Sequence, residues 1–278
     1  MPFKTVFLAV GTSQGDAEID RAAGICRVLD AHLAVLVLGV APPPPASPYG
    51  VVSNDIWAGE IREGQSVAEE RAREVEARLG EAGVSAMVES QYIDRGTVAT
   101  LAARFARYAD LTLIPPVGGD GEAMQNWVLN GALFESGRPV LLLPEGAVHF
   151  PDPRRVMVAW DASVEASKAV RDAIELMCAA ERVDVVLIDP VPSFEGHGPE
   201  PGADLSAYLG RHGISTNVHR LPREGRDEAE VLRRAAMDLD AELIVMGGFG
   251  HSRLRQRIFG GTTTSMMKSP PTAVLMAH

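Results

Sequence analysis

The chain has 278 residues, which is enough for one large domain or two of ordinary size with well-buried cores. Its formal net charge of -11 argues against a general nucleic-acid binder, because such proteins need dense Lys and Arg to displace counterions from phosphate. Cys26 and Cys178 lie in apolar helical patterns without metal-ligand spacing, so we expect buried small side chains rather than a disulfide or a zinc site.

The amino terminus runs directly into an apolar, branched segment, residues 4–10, that is typical of a buried strand. It lacks the succession of basic, apolar and cleavage-site segments that marks a secretory signal. No stretch of the sequence reaches the roughly 20 apolar residues needed to cross a bilayer. From these features we expect a protein of the reducing cytoplasm with no membrane partner.

Apolar runs and helical patterns alternate along the whole chain. In the first half, strands are predicted at 4–10, 33–38, 85–91, 111–114 and 140–143, and helices at about 16–29, 61–79 and 97–108. The second half repeats this order, with strands at 154–160, 183–188, 215–221, 243–246 and 273–276 and helices at about 163–178, 204–211, 227–237 and 263–268. The repetition predicts two domains of one kind, 1–148 and 153–278, on either side of a linker with glycine and proline.

The regular alternation of strand and helix indicates the α/β class. Each half is predicted to form an open, Rossmann-like sheet of five parallel strands, with helices on both faces and right-handed crossovers. Ligands of such sheets bind beyond the carboxyl ends of the strands. Residues that directly follow a strand are therefore the first candidates for a binding site.

Two glycine clusters follow the fourth strand of the second half. Gly247 and Gly250 come directly after the strand, and Gly260 and Gly261 precede Thr262 at the start of the last predicted helix. Glycine lets backbone amides approach an anion without a Cβ in the way, and the amides at a helix start attract anions. The two clusters together predict a site that binds a phosphate chain.

The spacing of these glycines, G-x2-G-x9-G, resembles the G-x2-G-x9-G-[Ser/Thr] signature of the universal stress proteins. Asp161, which follows the first strand of the second half, is similar to the acidic residue at that place in the family. The resemblance covers the whole chain and implies a tandem universal stress protein with the adenine nucleotide alpha hydrolase-like fold. One position departs from the pattern, because Gly261 stands where the family has Ser or Thr.

The same resemblance implies which residues contact the nucleoside and the first phosphate. Asp161 would contact the ribose. The backbone of Ile188, at the end of the second strand of this half, would recognise adenine. Met246, Gly247 and Gly250 would line the sugar and the first phosphate.

The outer phosphates would be held by the amides of Gly260, Gly261 and Thr262, with the Thr262 hydroxyl as an added donor. Two alternatives stay open on the residues alone. Asp161 is also of a type that caps a helix start, here just before Ser163. The basic residues between the glycine clusters either clamp phosphates or form a solvated rim; they are His251, Arg253, Arg255 and Arg257.

The first half lacks these features. Gly11 stands in the place of Asp161, two prolines without amide donors follow the fourth strand, and Asp120 would repel a phosphate. Asn130-Gly131-Ala132 takes the place of the second glycine cluster. We interpret the first half as a repeat that kept the fold and lost the nucleotide.

The sequence contains no Walker-type lysine loop, nucleophile elbow or HExxH helix, so no catalytic residue and no metal site is predicted. We expect a regulatory stress-response protein that binds ATP, with or without Mg2+, or AMP in its second domain, with slow ATP hydrolysis only as a side property. The alternative is a nucleotide-free scaffold whose domains form an internal pseudo-dimer, and which pairs with partners or into a homodimer through an exposed last strand. A flavoprotein-like enzyme is a third class, because fold alone does not determine function.

Overall fold

A computed structural model describes residues 3–43, 54–116, 121–144, 150–194, 196–249 and 261–278. The chain divides into two compact units, Phe3–Ser136 and Gly137–His278. Within the described ranges, no helix is both long enough and apolar enough to cross a membrane.

The first unit is a parallel sheet covered by helices. Its strands are β1 (Thr5–Gly11), β2 (His32–Ala41), β3 (Ala86–Asp94) and β4 (Leu111–Ile114), in the spatial order β3-β2-β1-β4. Its helices are α1 (Ala17–Leu29), α2 (Asn54–Glu81), α3 (Val98–Arg107) and α4 (Glu122–Glu135). The central strands are almost wholly buried, because helices cover a parallel sheet on both faces.

The second unit repeats this layout with more strands. Its strands are β5 (Val140–Leu142), β6 (Arg155–Ala159), β7 (Arg182–Ile188), β8 (Thr216–Leu221), β9 (Leu243–Gly247) and β10 (Ala273–Ala277). Its helices are α5 (Val164–Asp172), α6 (Ile174–Ala179), α7 (Ala203–Arg211), α8 (Glu228–Asp238) and α9 (Gly261–Lys268). The strand order is β5-β10-β9-β6-β7-β8, and all neighbours except β5 and β10 run parallel. The predicted α/β class is thereby confirmed.

The strand β5 has a neighbour that the sequence did not predict. It lies antiparallel to β10, with Val140 opposite Met276 and Leu142 opposite Val274. All three residues of β5 are buried, so the pairing covers apolar side chains and also satisfies the backbone groups along β10. The last strand therefore has a neighbour on each side, and the predicted exposed edge at this strand is wrong.

One carboxylate in each unit connects the starts of two neighbouring strands, β1 and β4 in the first unit and β6 and β9 in the second. In the first unit, Asp110 Oδ2 accepts hydrogen bonds from the amides of Lys4 and Thr5, at 2.8 and 3.0 Å. In the second unit, Glu242 Oε2 accepts from the amides of Arg154 and Arg155, at 2.6 and 3.3 Å. The repeat thus extends to a structural contact that the sequence comparison did not find.

The two cysteines differ in exposure. Cys26 is buried in α1, and this burial raises the pKa of its thiol to about 12. Cys178 is exposed on α6, with its Sγ 3.6 Å from the carbonyl oxygen of His212. The expectation of two buried cysteines is therefore wrong for Cys178, which the short helix α6 presents to solvent.

We predict that iodoacetamide at pH 8 alkylates Cys178 at least about tenfold faster than Cys26, because the reactive species is the thiolate and the Cys26 thiol stays protonated and covered. Peptide mass spectrometry over a time course measures both rates in the folded protein. In urea the two rates should converge. Equal rates without urea would show that α1 opens readily.

Candidate functional site

The candidate site lies where the strand order of the second unit reverses. The sheet runs outward from β6 through β7 to β8 on one side and through β9 to β10 on the other, so β6 and β9 flank the switch point. At this end of the sheet, Ala159 is paired with Met246 on β9 and with Val186 on β7. The carboxyl ends of three strands therefore meet where ligands of open α/β sheets bind.

Asp161 stands two residues beyond the end of β6 and is exposed. Its Oδ1 accepts a hydrogen bond from the amide of Ser163 at 2.9 Å, across Ala162, whose φ is 61°. The cap of α5 is Ser163 itself, whose hydroxyl oxygen accepts from the amide of Ala166 at 3.0 Å. The alternative in which Asp161 is the helix cap is thus wrong, and a turn holds this carboxylate at the strand end.

Ile188 ends β7, beside β6, and pairs with Leu221 of β8. The next residue, Asp189, has a φ of 43°, and its amide donates to the carbonyl oxygen of Leu221 at 2.9 Å. Its two carboxylate oxygens each lie 3.3 Å from the amide nitrogen of Arg223. The end of β7 is therefore held firmly by the loop that follows β8.

Gly247 ends β9, after the buried Met246. A Cβ on Gly247 would lie 2.5 Å from the amide nitrogen of Ala166 and 2.9 Å from the carbonyl carbon of Glu165. This glycine therefore allows the first turn of α5 to pack on the strand end, a reason the sequence did not reveal. The next amide, of Gly248, donates to the carbonyl oxygen of Ala277 at 2.9 Å, so it belongs to the sheet.

A hydrogen bond joins the end of β9 to the first turn of α9. The amide of Phe249, whose φ is 62°, donates to Thr263 Oγ1 at 3.2 Å, and Thr263 is buried. The two ends of the glycine segment are therefore adjacent in space. The predicted contacts Gly250 and Gly260 lie outside the described residues, as do His251, Arg253, Arg255 and Arg257.

Gly261 and Thr262 are the first two residues of α9. Gly261 is exposed, and a Cβ placed there would meet no atom of a described residue within 4 Å. The Thr262 hydroxyl donates to Glu228 Oε2, the carboxylate of the first residue of α8, at 2.9 Å. Glu228 Oε1 in turn accepts from Arg223 Nη1 at 3.1 Å. Sequence reasoning missed Glu228 and Arg223, because an acidic residue at a helix start ordinarily indicates only a favourable dipole contact.

The matching strand end of the first unit is filled by side chains of that unit. Gln14 Oε1 accepts from the amide of Gly11 at 2.6 Å, and Met124 Cε would lie 3.6 Å from a Cβ on Gly11. The buried Gln125 donates through Nε2 to the carbonyl oxygen of Ala9 at 3.1 Å. The strand end that has Gly11 in the place of Asp161 is thus filled by side chains.

The helix α4 also differs from its counterpart α9. Gly261 precedes Ala273 of β10 by 12 positions (273 − 261), and Val128 precedes Val140 of β5 by the same 12 (140 − 128). Counted back from the following strand, the position of Gly261 thus corresponds to Val128, which is buried inside α4, and Asn130-Gly131-Ala132, which the sequence comparison placed against the glycine cluster, lies in the same helix. No helix of this unit begins at the position that corresponds to the second glycine cluster, within the ranges that the structure describes.

Comparison with known proteins relates the second half to a known family and the whole chain to a known fold. The model of the universal stress protein family matches residues 153–278. Among solved structures, the chain is similar to a universal stress protein from Archaeoglobus fulgidus DSM 4304, with 18% identity, a TM-score of 0.70 and coverage of 98% of this chain and 95% of that one. A putative universal stress protein from Pseudomonas aeruginosa UCBPP-PA14 follows, with 15% identity, a TM-score of 0.56 and coverage of 98% and 92%. At these identities the likeness shows the fold.

A shorter match is a universal stress protein family protein from Arabidopsis thaliana with AMP bound, which has 17% identity and a TM-score of 0.32 and covers 53% of this chain and 95% of that one. Among curated proteins, none matches the sequence. In the part of the chain that the structure describes, no group of three or more His, Cys, Asp or Glu side chains is placed to hold a metal ion.

Proposed function

We propose that the second domain of this chain binds an adenine nucleotide, ATP or AMP, since the second half matches the universal stress protein family and the first half has the same fold. The observation that carries the proposal is the meeting of three elements at the switch point of the second sheet. They are the Asp161 turn, the Gly247 strand end and the start of α9. The hydrogen bond between Phe249 and Thr263 joins the last two.

Each element supplies a different kind of contact in this proposal. The exposed carboxylate of Asp161 accepts hydrogen bonds from the ribose hydroxyls. The backbone at Ile188 contacts adenine beside it. The amides of Gly261 and Thr262 face the phosphates, because the first amides of a helix lack intrahelical partners and carry partial positive charge. The side chains that fill the strand end at Gly11 support placing the ligand in the second domain.

The role that we propose is regulatory rather than catalytic. In the described part of the second unit, the histidine paired with a carboxylate is His219, whose Nε2 lies 2.9 Å from Asp184 Oδ1. Asp184 is near the amino end of β7, so this pair is remote from the carboxyl ends where the nucleotide would bind. Occupancy of the site would instead change the surface that these strand ends present to partner proteins in a stress response in the cytoplasm.

The scaffold alternative gains no support from the strand edges. Partner pairing through the last strand needs an unpaired edge, and β10 lies between β9 and β5. Nucleotide binding therefore remains the function that the described geometry favours.

We predict that Gly261→Glu weakens binding of ATP about tenfold or more and binding of AMP less, because it places a carboxylate beside the amides that face the outer phosphates, which AMP lacks. The fold should be unaffected, since no atom of a described residue lies within 4 Å of the new Cβ. Isothermal titration of the full chain with each nucleotide measures the affinity.

The matched control is Gly261→Ala, which adds a Cβ in the same open space without charge and should bind within about twofold of the wild type. If the wild type gives neither heat nor a thermal shift at millimolar nucleotide, the proposal is wrong. Extraction of the purified protein, followed by identification of any released nucleotide, tests the ligand class independently.

A further inference from the structure

The Arg223–Glu228 pair connects the two ends of the candidate site. At one end, the Arg223 amide bonds to the carboxylate of Asp189, which directly follows Ile188. At the other end, Glu228 accepts the Thr262 hydroxyl at 2.9 Å while its second oxygen holds the Arg223 guanidinium at 3.1 Å. A carboxylate is thus fixed against the first turn of α9, on the side where the outer phosphates of a nucleotide would lie.

Two positively charged features lie beside the carboxylate of Glu228. It is the first residue of α8, where the helix dipole stabilises an anion, and the Arg223 guanidinium adds an opposite charge. In the first unit, the equivalent first residue of α3 is Val98, which is buried and apolar. At this helix position, the unit that carries the glycine clusters therefore has a carboxylate and the other unit has an apolar side chain.

Resting on the proposed function, we propose that Glu228 is a specificity-determining residue that makes the site prefer a nucleoside monophosphate over a metal-free triphosphate. A hydroxyl has one proton to donate, and the Thr262 proton is already directed to Glu228. An outer phosphate at this position loses that donor and meets a negative charge. A monophosphate does not extend so far, so AMP avoids both costs.

The expected effect is moderate because the pair is partly solvated. The side chains of Arg223 and Glu228 are 45% and 42% exposed, so water screens the repulsion and Arg223 offsets part of it. At separations of a few Å and an intermediate effective dielectric, neutralising one carboxylate beside a phosphate changes the affinity about tenfold.

The test is isothermal titration of AMP and ATP, in EDTA, against the full-length wild type, Glu228→Gln and Glu224→Gln. Glutamine at residue 228 keeps the size and a hydrogen-bond acceptor for Thr262 but removes the charge. Glu224→Gln is the matched control, because it removes the same charge from the loop before α8, where Glu224 Oε2 accepts from Arg226 Nη2 at 2.5 Å. Thermal melts confirm that all three proteins are folded.

We expect Glu228→Gln to raise the affinity for ATP about tenfold and to leave that for AMP within about twofold, while Glu224→Gln changes neither. Added Mg2+ should narrow the wild-type difference between ATP and AMP, because it neutralises phosphate charge. Three results would overturn the role of Glu228: an equal change in affinity for both nucleotides, no change in either affinity, or the same gain in ATP affinity in Glu224→Gln. A wild type that binds neither nucleotide would instead overturn the proposed function itself.

Discussion

Gly131→Ala should lower the free energy of unfolding of the first unit by about 3 kcal/mol, the upper range for an overpacked core. Gly131 lies inside α4, where a Cβ would come within 1.9 Å of the carbonyl oxygen of Ala99 and 2.7 Å of its carbonyl carbon, on α3. These are backbone atoms, so no side-chain rotation relieves the contact, and the two helices must move apart. Urea titration followed by hydrogen-exchange mass spectrometry measures the free energy of unfolding of each unit separately.

The matched control for this prediction is Gly24→Ala in α1 of the same unit. A Cβ on Gly24 meets no atom of a described residue within 4 Å, so the substitution should raise the stability by up to about 1 kcal/mol through helix propensity alone. Opposite signs for the two glycines are the expected result. Similar changes in stability for both variants would show that α3 and α4 do not pack closely at Gly131 and Ala99.

Glu242→Ala should lower the free energy of unfolding of the second unit by about 3 kcal/mol. The side chain is 5% exposed and accepts from the amides of Arg154 and Arg155, and its Oε1 lies 2.7 Å from Arg155 Nη2. Removal leaves two amides at the start of β6 without their acceptor and separates that start from β9. The same urea titration, read on peptides of the second unit, measures the loss.

Glu181→Ala provides the comparison, because Glu181 also pairs with Arg154, at 3.5 Å, but both side chains are 66% exposed. Exposed ion pairs contribute little, so the change should stay within about 0.5 kcal/mol. A loss for Glu181→Ala as large as that for Glu242→Ala would mean that surface charge, and not the ties to the amides, holds these strands.

Local pattern was enough to place most of the elements. The strand Leu111–Ile114 and the helix Ala203–Arg211 lie within one residue of their predicted limits, since an apolar run or an amphipathic repeat reflects burial directly. The predicted bounds of helices were wrong where the local sequence pattern is weak. The helix α2 begins at Asn54 rather than near residue 61, and the predicted helix 163–178 is divided at Ala173.

The candidate site was only partly predictable for a related reason. Asp161 and Gly247 could be singled out because residues after parallel strands share one edge of a sheet, and Gly261 because it lies in a glycine cluster at a predicted helix start. Glu228 could not, since it contacts Thr262 across 34 positions of the chain, and only the packing of α8 beside α9 brings them together. The packing reason for Gly247 was equally unpredictable, because its close neighbours, Glu165 and Ala166, belong to another element.

The sequence by itself determined the α/β class, the repetition of two halves and the strand ends at which a ligand would bind. These follow from apolar periodicity and from glycines that stand at fixed distances after a strand, both of which are local properties. Tertiary structure alone decided that β5 pairs with β10, that side chains fill the first strand end, and that the Thr262 hydroxyl is directed to a carboxylate. Each of these depends on which distant elements pack together, and that choice is made by burial and hydrogen-bond satisfaction over the whole unit.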